Sequence, residues 1–319
     1  MLLTNQNGIN RIIALERQSD PKGKKQEVGL MSFFRKSRLI TTAVALMVGA
    51  SLFAGCGSSG KNAEAPKAGA ELQGTVTASG STALLPLLKP AQEEFQKKYS
   101  KVTVNIAGGG SFTGMNQVAS GAVNIGNSDV DLPAEYKDKG LVDNKVAVAP
   151  FVFITNTDVT VDNLTQQQYV DIMSGKITNW KEVGGKDQKI TLIHRAKSSG
   201  SRATIADIVM KNTPFTDNAV IQDSNGAVRA AIASTPGSIG YVDAPYADNS
   251  VKKLAYNGVP YNPQAVIDGK YPVYAYGHMY TKGEATGAVK AFIDYVMSKE
   301  FQENYVEKNG FLPITKVKK

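Results

Sequence analysis

The stretch from Gly74 to Ile106 narrows the fold more than any other part of the chain. A β-branched run, Gly74-Thr-Val-Thr-Ala, gives way to a small polar turn, Ala78-Ser79-Gly80-Ser81-Thr82-Ala83. Apolar residues at 84, 87, 88, 91, 95 and 99 then keep the period of a helix with one buried face. A second strand-like run, Val102-Thr-Val-Asn-Ile106, follows at once. Strand, helix and strand at this spacing is the rhythm of an α/β protein. Two later extended runs, Val146 to Ile154 and Tyr271 to Tyr276, are placed to cross between lobes, and a last helical pattern runs through Val289, Phe292, Ile293 and Val296. From Leu72 to Lys319 the chain is long enough for one large domain or two modest lobes. We expect one lobe from 72–153 plus 273–319 and the other from 154–272. No internal repeat is visible.

The front of the chain is not part of that pattern. Residues 1–30 are polar and aperiodic, and read as an upstream extension or a misassigned start, with Met31 the alternative. Arg35, Lys36 and Arg38 precede an apolar run, Leu39 to Phe53, too short for a comfortable membrane span. Segment 31–55 therefore reads as a secretory signal. It ends Leu52-Phe53-Ala54-Gly55-Cys56, which resembles a bacterial lipobox and implies cleavage before Cys56 and lipid on its sulfur. Cys56 is the only cysteine, so no intramolecular disulfide competes for it. Residues 56–71 then form the lipidated cysteine and a flexible tether. Its 57–71 portion spans about 50 Å when fully extended, at roughly 3.3–3.6 Å per residue. The first 55 residues carry 8 of the 36 basic and 3 of the 28 acidic side chains, so the formal charge of +8 falls to +3 beyond them. No basic block interleaved with aromatics remains, and nucleic acid is not an expected partner.

Four stretches carry the chemistry. Ser81, Thr82 and Ala83 lie between a strand and a helix, and so does Gly108-Gly-Gly-Ser111-Phe-Thr113-Gly114. Asn124-Ile-Gly-Asn-Ser128-Asp129 ends an extended run in a hydroxyl and a carboxylate. Arg195-Ala-Lys-Ser-Ser199-Gly200-Ser201 sets a guanidinium four residues before a turn that opens a helix. Each offers hydroxyls, free backbone N–H groups or a fixed cation, the makings of an anion site. In open α/β sheets such loops gather beyond the carboxyl ends of the strands. Each stretch alone could also be a plain turn or cap. None is a nucleotide loop: the Gly-Lys pairs at 175, 185 and 269 lack the following Ser or Thr, and 108–114 does not fit Gly-x-Gly-x-x-Gly.

Over 72–319 these residues resemble the phosphate-binding proteins of bacterial phosphate ABC transporters. The marks are Gly80-Ser-Thr82, Gly109-Gly-Ser111, Ile125-Gly-Asn-Ser-Asp129, Gly175-Lys-Ile-Thr-Asn-Trp180-Lys-Glu-Val-Gly-Gly185, Arg195-x-x-x-Ser199-Gly-Ser201, Gly237-Ser-Ile-Gly-Tyr241-Val and Gly310-Phe-Leu-Pro313. The resemblance implies a two-lobed type II periplasmic-binding-protein fold, each lobe a mixed sheet flanked by helices, joined by two crossover strands. It implies anion contacts from Thr82, the N–H of Ala83, Ser111, Asp129, Arg195, Ser199, Gly200 and Ser201, with Ser81 and Ser128 as neighbours. Ser201 stands where a threonine is common and keeps the hydroxyl. Ala83 stands where bulkier residues often occur, so only its backbone role carries over. It further implies inorganic phosphate as ligand, permease subunits as partners, and no cofactor or metal. A monomer anchored by lipid on the extracytoplasmic face of a Gram-positive-type cell membrane completes the expectation.

Phosphate near neutral pH keeps a proton and sulfate has none. In a site otherwise made of donors, Asp129 can accept from a P–OH but faces only lone pairs on sulfate. Sites built around one such bond reject analogues lacking it by roughly 10⁴–10⁵. Arg195 offsets the ligand's charge and can itself pair with Asp129, keeping that carboxylate ionised. The rivals are another oxyanion, an organic phosphate needing an open side to the pocket, and a secreted phosphatase. Two histidines, His194 and His278, far apart and without a Gly-x-Ser-x-Gly elbow, leave hydrolysis without an activating base. Trp180 reads as core, and Tyr271, Tyr274, Tyr276 and Tyr280 as structural rather than a saccharide groove.

Overall fold

Strand-forming and helix-forming runs alternate in space much as they do along the chain. The computed structural model describes residues 71–317. Cys56, the signal segment and the tether through residue 70 lie outside the described residues. The first strand, β1 (Gly74–Gly80), leads into α1 (Leu85–Lys98), which buries Leu87, Leu88, Ala91 and Phe95. Pro86 sits in its first turn, where no N–H is needed, and Lys97 and Lys98 oppose the negative end of its dipole. Then come β2 (Val102–Gly108), α2 (Ser111–Ser120) and β3 (Ile125–Ser128). β1 pairs in parallel with β2 on one side and β3 on the other.

The fifteen-residue β4 (Leu141–Thr155) carries the chain onward. Beyond it lie β5 (Asn163–Leu164), α3 (Gln166–Met173), β6 (Thr191–Arg195), α4 (Gly200–Ile208), β7 (Val220–Gln222), α5 (Asn225–Ser234) and β8 (Ser238–Asp243). β9 (Lys252–Tyr256), α6 (Pro263–Ile267), β10 (Tyr274–Lys282) and α7 (Gly287–Met297) follow. Strand order is β2-β1-β3-β10-β4-β8-β6-β7, with β9 on β4 and β5. β4 changes partner midway: Leu141 to Pro150 lie antiparallel to β10, and Phe151 to Thr155 to β8. β10 in turn pairs with β3 through His278, Met279 and Tyr280. Two long strands thus link the halves of the sheet.

Each half has its own core. Val76, Phe95, Val104, Ile125 and Phe292, from both ends of the chain, pack as one cluster. Phe153, Tyr169, Trp180, Ile205 and Tyr241, from the middle, form another. Trp180 is buried and its indole N–H donates to Gly237 O at 2.9 Å, as a packing residue would. Tyr271 and Tyr280 are also fully buried, while Tyr274 and Tyr276 meet edge to face at 6.3 Å along β10. Among the described residues, no helix is long and apolar enough to cross a membrane.

Candidate functional site

The carboxyl ends of β1, β2, β3 and β6 are tied together by direct hydrogen bonds, and all four polar stretches meet there. Ser81 N donates to Asn127 O at 2.8 Å and Gly110 N to Gly80 O at 2.8 Å, joining the first three. Phe112 N donates to Ser198 O at 3.2 Å, bringing in the fourth. The glycines are used for close approach. Gly110 sits at φ +92°, and a Cβ there would run into the Ser198 carbonyl.

Asp129 is the hub. It is 1% exposed and its carboxylate accepts from two hydroxyls, Ser111 Oγ on Oδ1 and Ser201 Oγ on Oδ2 at 2.9 Å. Its backbone N donates to Ser111 Oγ at 3.2 Å, and its carbonyl accepts from Thr204 Oγ1 at 3.1 Å. Gly200 lies so near that a Cβ would collide with Asp129 Oδ1 and Ser111 Oγ. Ser111 opens α2, and Gly200 and Ser201 open α4, so two helix N-termini converge on one carboxylate. Ser199 caps α4, its hydroxyl accepting from Arg202 N at 3.2 Å.

Arg195 closes the other side, 2% exposed. Its direct partners are backbone carbonyls and not the Asp129 carboxylate. Nε donates to Gln222 O at 3.2 Å and Nη2 to Asp223 O at 2.8 Å, at the end of β7, while Nη1 is buried without a protein partner. The cause is local: β6 and β7 run in parallel with Arg195 opposite Gln222, so the nearest acceptors are that strand's terminal carbonyls. Burial pulls the guanidinium below its ordinary pKa, and the charge of Asp129 pushes it back. Braced by two carbonyls, the side chain presents one aimed, unfilled donor group.

Other expected contacts are arranged differently in detail. Ser128 Oγ is committed to the next turn, donating to Val130 O at 2.9 Å and accepting from Val130 N at 3.0 Å. The N–H of Ala83 donates to Ser81 Oγ at 3.1 Å. His194 stacks on Phe215 at 4.9 Å and meets Arg202 Nη1 through Nδ1 at 3.3 Å. Burial, and then the Arg202 charge, lower its pKa to about 4, so it is a neutral imidazole near neutrality.

Sequence reasoning missed a second ring. Asn225 donates from N and Nδ2 to Thr82 Oγ1 at 3.3 and 3.2 Å. Tyr246 OH donates to Thr82 O at 2.6 Å. Asp243 ends β8 with both carboxyl oxygens buried and unpaired, and burial plus the charge of Asp129 hold its pKa well above the usual carboxylate range. The signal for Asn225 was present: Asp223-Ser-Asn-Gly226 is a fifth small polar turn opening a helix. The motif Gly237-Ser-Ile-Gly-Tyr241-Val stops one residue short of Asp243.

Comparison with known proteins adds to this geometry. Residues 65–300 match the family model described as a PBP superfamily domain. The chain is 41% identical over 274 residues to the phosphate-binding protein PstS of Bacillus subtilis (strain 168), covering 83% of this chain and 90% of that one. It is 31% identical over 251 residues to PstS of Borreliella burgdorferi, covering 75% and 90%. Among solved structures, a phosphate-bound substrate-binding protein assigned to a phosphate ABC transporter of Clostridium perfringens superposes with a TM-score of 0.73. It is 33% identical, and the match covers 76% of this chain and all of that one.

Proposed function

This chain belongs to the PBP superfamily, among its phosphate-binding proteins, and from that premise we propose that it captures inorganic phosphate at the Asp129–Arg195 cradle and delivers it to an ABC permease for import. The observation that carries the proposal is the cradle's polarity. One buried carboxylate is surrounded by the hydroxyls of Ser111 and Ser201 and the helix end at Gly200, with the unfilled Nη1 of Arg195 nearby. Phosphate's unprotonated oxygens take the donors, and its P–OH donates to Asp129. The serine protons that now point at Asp129 rotate toward the anion as it enters, which frees the carboxylate to accept. Arg195 offsets charge, and Thr82, Ala83 and Ser199 complete the shell.

Capture requires two bodies, and we assign them as 72–153 plus 273–319 and 154–272. Thr82, Ser111 and Asp129 come from the first, and Arg195, Ser199, Gly200 and Ser201 from the second. The anion therefore bridges them, and closing excludes water from its charges. The protein binds rather than cleaves its ligand. Of the site serines, Ser111 and Ser201 donate to a carboxylate and Ser199 caps a helix, while His194 is engaged by Arg202 and stacked on Phe215.

One observation favours a second reading, an organic phosphate monoester. A cavity of about 520 Å³ reaches Asp129 and is lined by Phe112, Thr204, Tyr274 and Tyr276, with room for a substituent. Asp131 and Asp207 line it too, so only an uncharged or cationic substituent suits it. Competition titration of the purified protein with phosphate, sulfate, molybdate and glycerol phosphate separates the readings. Phosphate is expected to bind tightest with sulfate and molybdate excluded. Preference for glycerol phosphate would move the assignment to esters, and equal binding of sulfate would sink both.

For location we propose a lipid anchor at Cys56, on the extracytoplasmic face, as a monomer. The support is the lone cysteine at the lipobox-like end of an apolar leader. Cys56→Ala is expected to release the protein into the medium or leave the precursor uncleaved. Retention of a mature-sized form in the membrane fraction argues against lipidation.

A further inference from the structure

Thr82 is gripped from three directions by residues far along the chain, and the chemistry of that grip constrains its hydroxyl. A threonine hydroxyl has one proton and two lone pairs. Asn225, the first residue of α5 and fully buried, directs two donors at Thr82 Oγ1: its backbone N at 3.3 Å and its side-chain Nδ2 at 3.2 Å. Both lone pairs are therefore taken. The amide cannot turn over, because Asn225 Oδ1 accepts from Asp243 N at 3.1 Å and a flipped amide would set two donors face to face. Tyr246 OH holds the Thr82 carbonyl at 2.6 Å, fixing the backbone behind the hydroxyl. Only the proton of Thr82 is left to point outward.

The geometry points to Asn225 as a positioning residue that locks the Thr82 hydroxyl as a donor, so that this hydroxyl can engage only an unprotonated oxygen of the bound anion. This rests on the proposed phosphate site with Thr82 in its shell. A free hydroxyl could serve a P–OH as acceptor or a P–O⁻ as donor, and would read nothing. Locked by Asn225, it complements Asp129, which can only accept. The two groups then assign the ligand's protonated and unprotonated oxygens to different sides of the cradle. Asn225 itself need not touch the ligand.

A double-mutant cycle on phosphate affinity tests the inference, measured by calorimetry on unsubstituted protein, Asn225→Ala, Thr82→Val and the double variant. Asn225→Ala is expected to raise Kd about five- to tenfold, the worth of one hydrogen bond. In the Thr82→Val background the same change is expected to cost less than about twofold, because there is no hydroxyl left to orient. Asn225→Asp is the second probe, since it keeps an acceptor for Asp243 N but turns an acceptor toward Thr82. It is expected to weaken binding further, with that excess shrinking when Thr82 is valine, and it carries the cycle alone if Asn225→Ala does not fold. Equal factors in both backgrounds, or an Asn225→Ala protein with unchanged Kd, overturn the inference. Failure of the unsubstituted protein to bind phosphate defeats the functional proposal instead, so the two failures are told apart.

Discussion

Arg195→Ala is expected to abolish phosphate binding measurable by calorimetry while the protein still folds. The guanidinium is 2% exposed, and two of its three nitrogens are spent on the carbonyls of Gln222 and Asp223. Those bonds do not offset its charge. They aim it, leaving Nη1 as a fixed cationic donor whose nearby countercharge, Asp129, lies beyond direct contact. A bound anion supplies the missing contact and relieves a buried cation at the same time. Removing one partner of such a buried pair costs about 3–5 kcal/mol, which moves a micromolar site to roughly 0.2–5 mM. Lysine is expected to restore little. Its ammonium is a compact point charge without the planar fork that lets Nε and Nη2 reach two carbonyls while Nη1 is left over. Thermal unfolding without phosphate separates loss of the site from loss of the fold, because the carbonyls at 222 and 223 lose their donors too. Near-native affinity in Arg195→Ala would remove this residue from the site.

What could be read from the chain beforehand follows from how local each interaction is. The helix expected over 84–99 forms at Leu85–Lys98 because its apolar stripe and its proline and lysine ends are all local. The extended run at 146–154 lies within β4, because unbroken apolar residues suit a strand covered on both faces, and the run at 271–276 leads into β10, where Tyr274 to Tyr276 are half-buried. Turns of Ser and Gly marked the strand ends, and those ends meet. Orientation within the turns was not legible. Ser128 and Asp129 are adjacent, yet only the second faces Ser111 and Ser201, and which of two neighbours turns inward is set by the strand's register. Arg195 and Asp129 were matched by charge, but the alignment of β6 with β7 put two carbonyls nearer. Asn225, Asp243 and Tyr246 act on residues about 140 to 165 positions away in the chain, or on one another, and no spacing rule reaches that far.

Asp129→Asn is expected to narrow the gap between phosphate and sulfate by at least about a hundredfold, out of the roughly 10⁴–10⁵ that a site built on one required hydrogen bond provides. The carboxylate has no freedom to adapt to a wrong ligand. Thr204 holds its backbone carbonyl, and Gly200 is packed so tightly against Oδ1 that even a methyl group there would collide with it. Phosphate brings a proton to this fixed acceptor, whereas sulfate brings a second set of lone pairs into a site closed to water, where like charges repel strongly. Asparagine keeps the shape but substitutes an NH₂ for one oxygen and removes the charge. Sulfate then meets a donor, and phosphate loses its charged acceptor, so the two affinities converge from opposite directions. Titrating each anion into the variant, and competing one against the other, gives the ratio directly. A ratio equal to that of the unsubstituted protein would mean that discrimination arises elsewhere. The locked hydroxyl of Thr82 would not rescue it, because a donor at that position welcomes sulfate and phosphate alike.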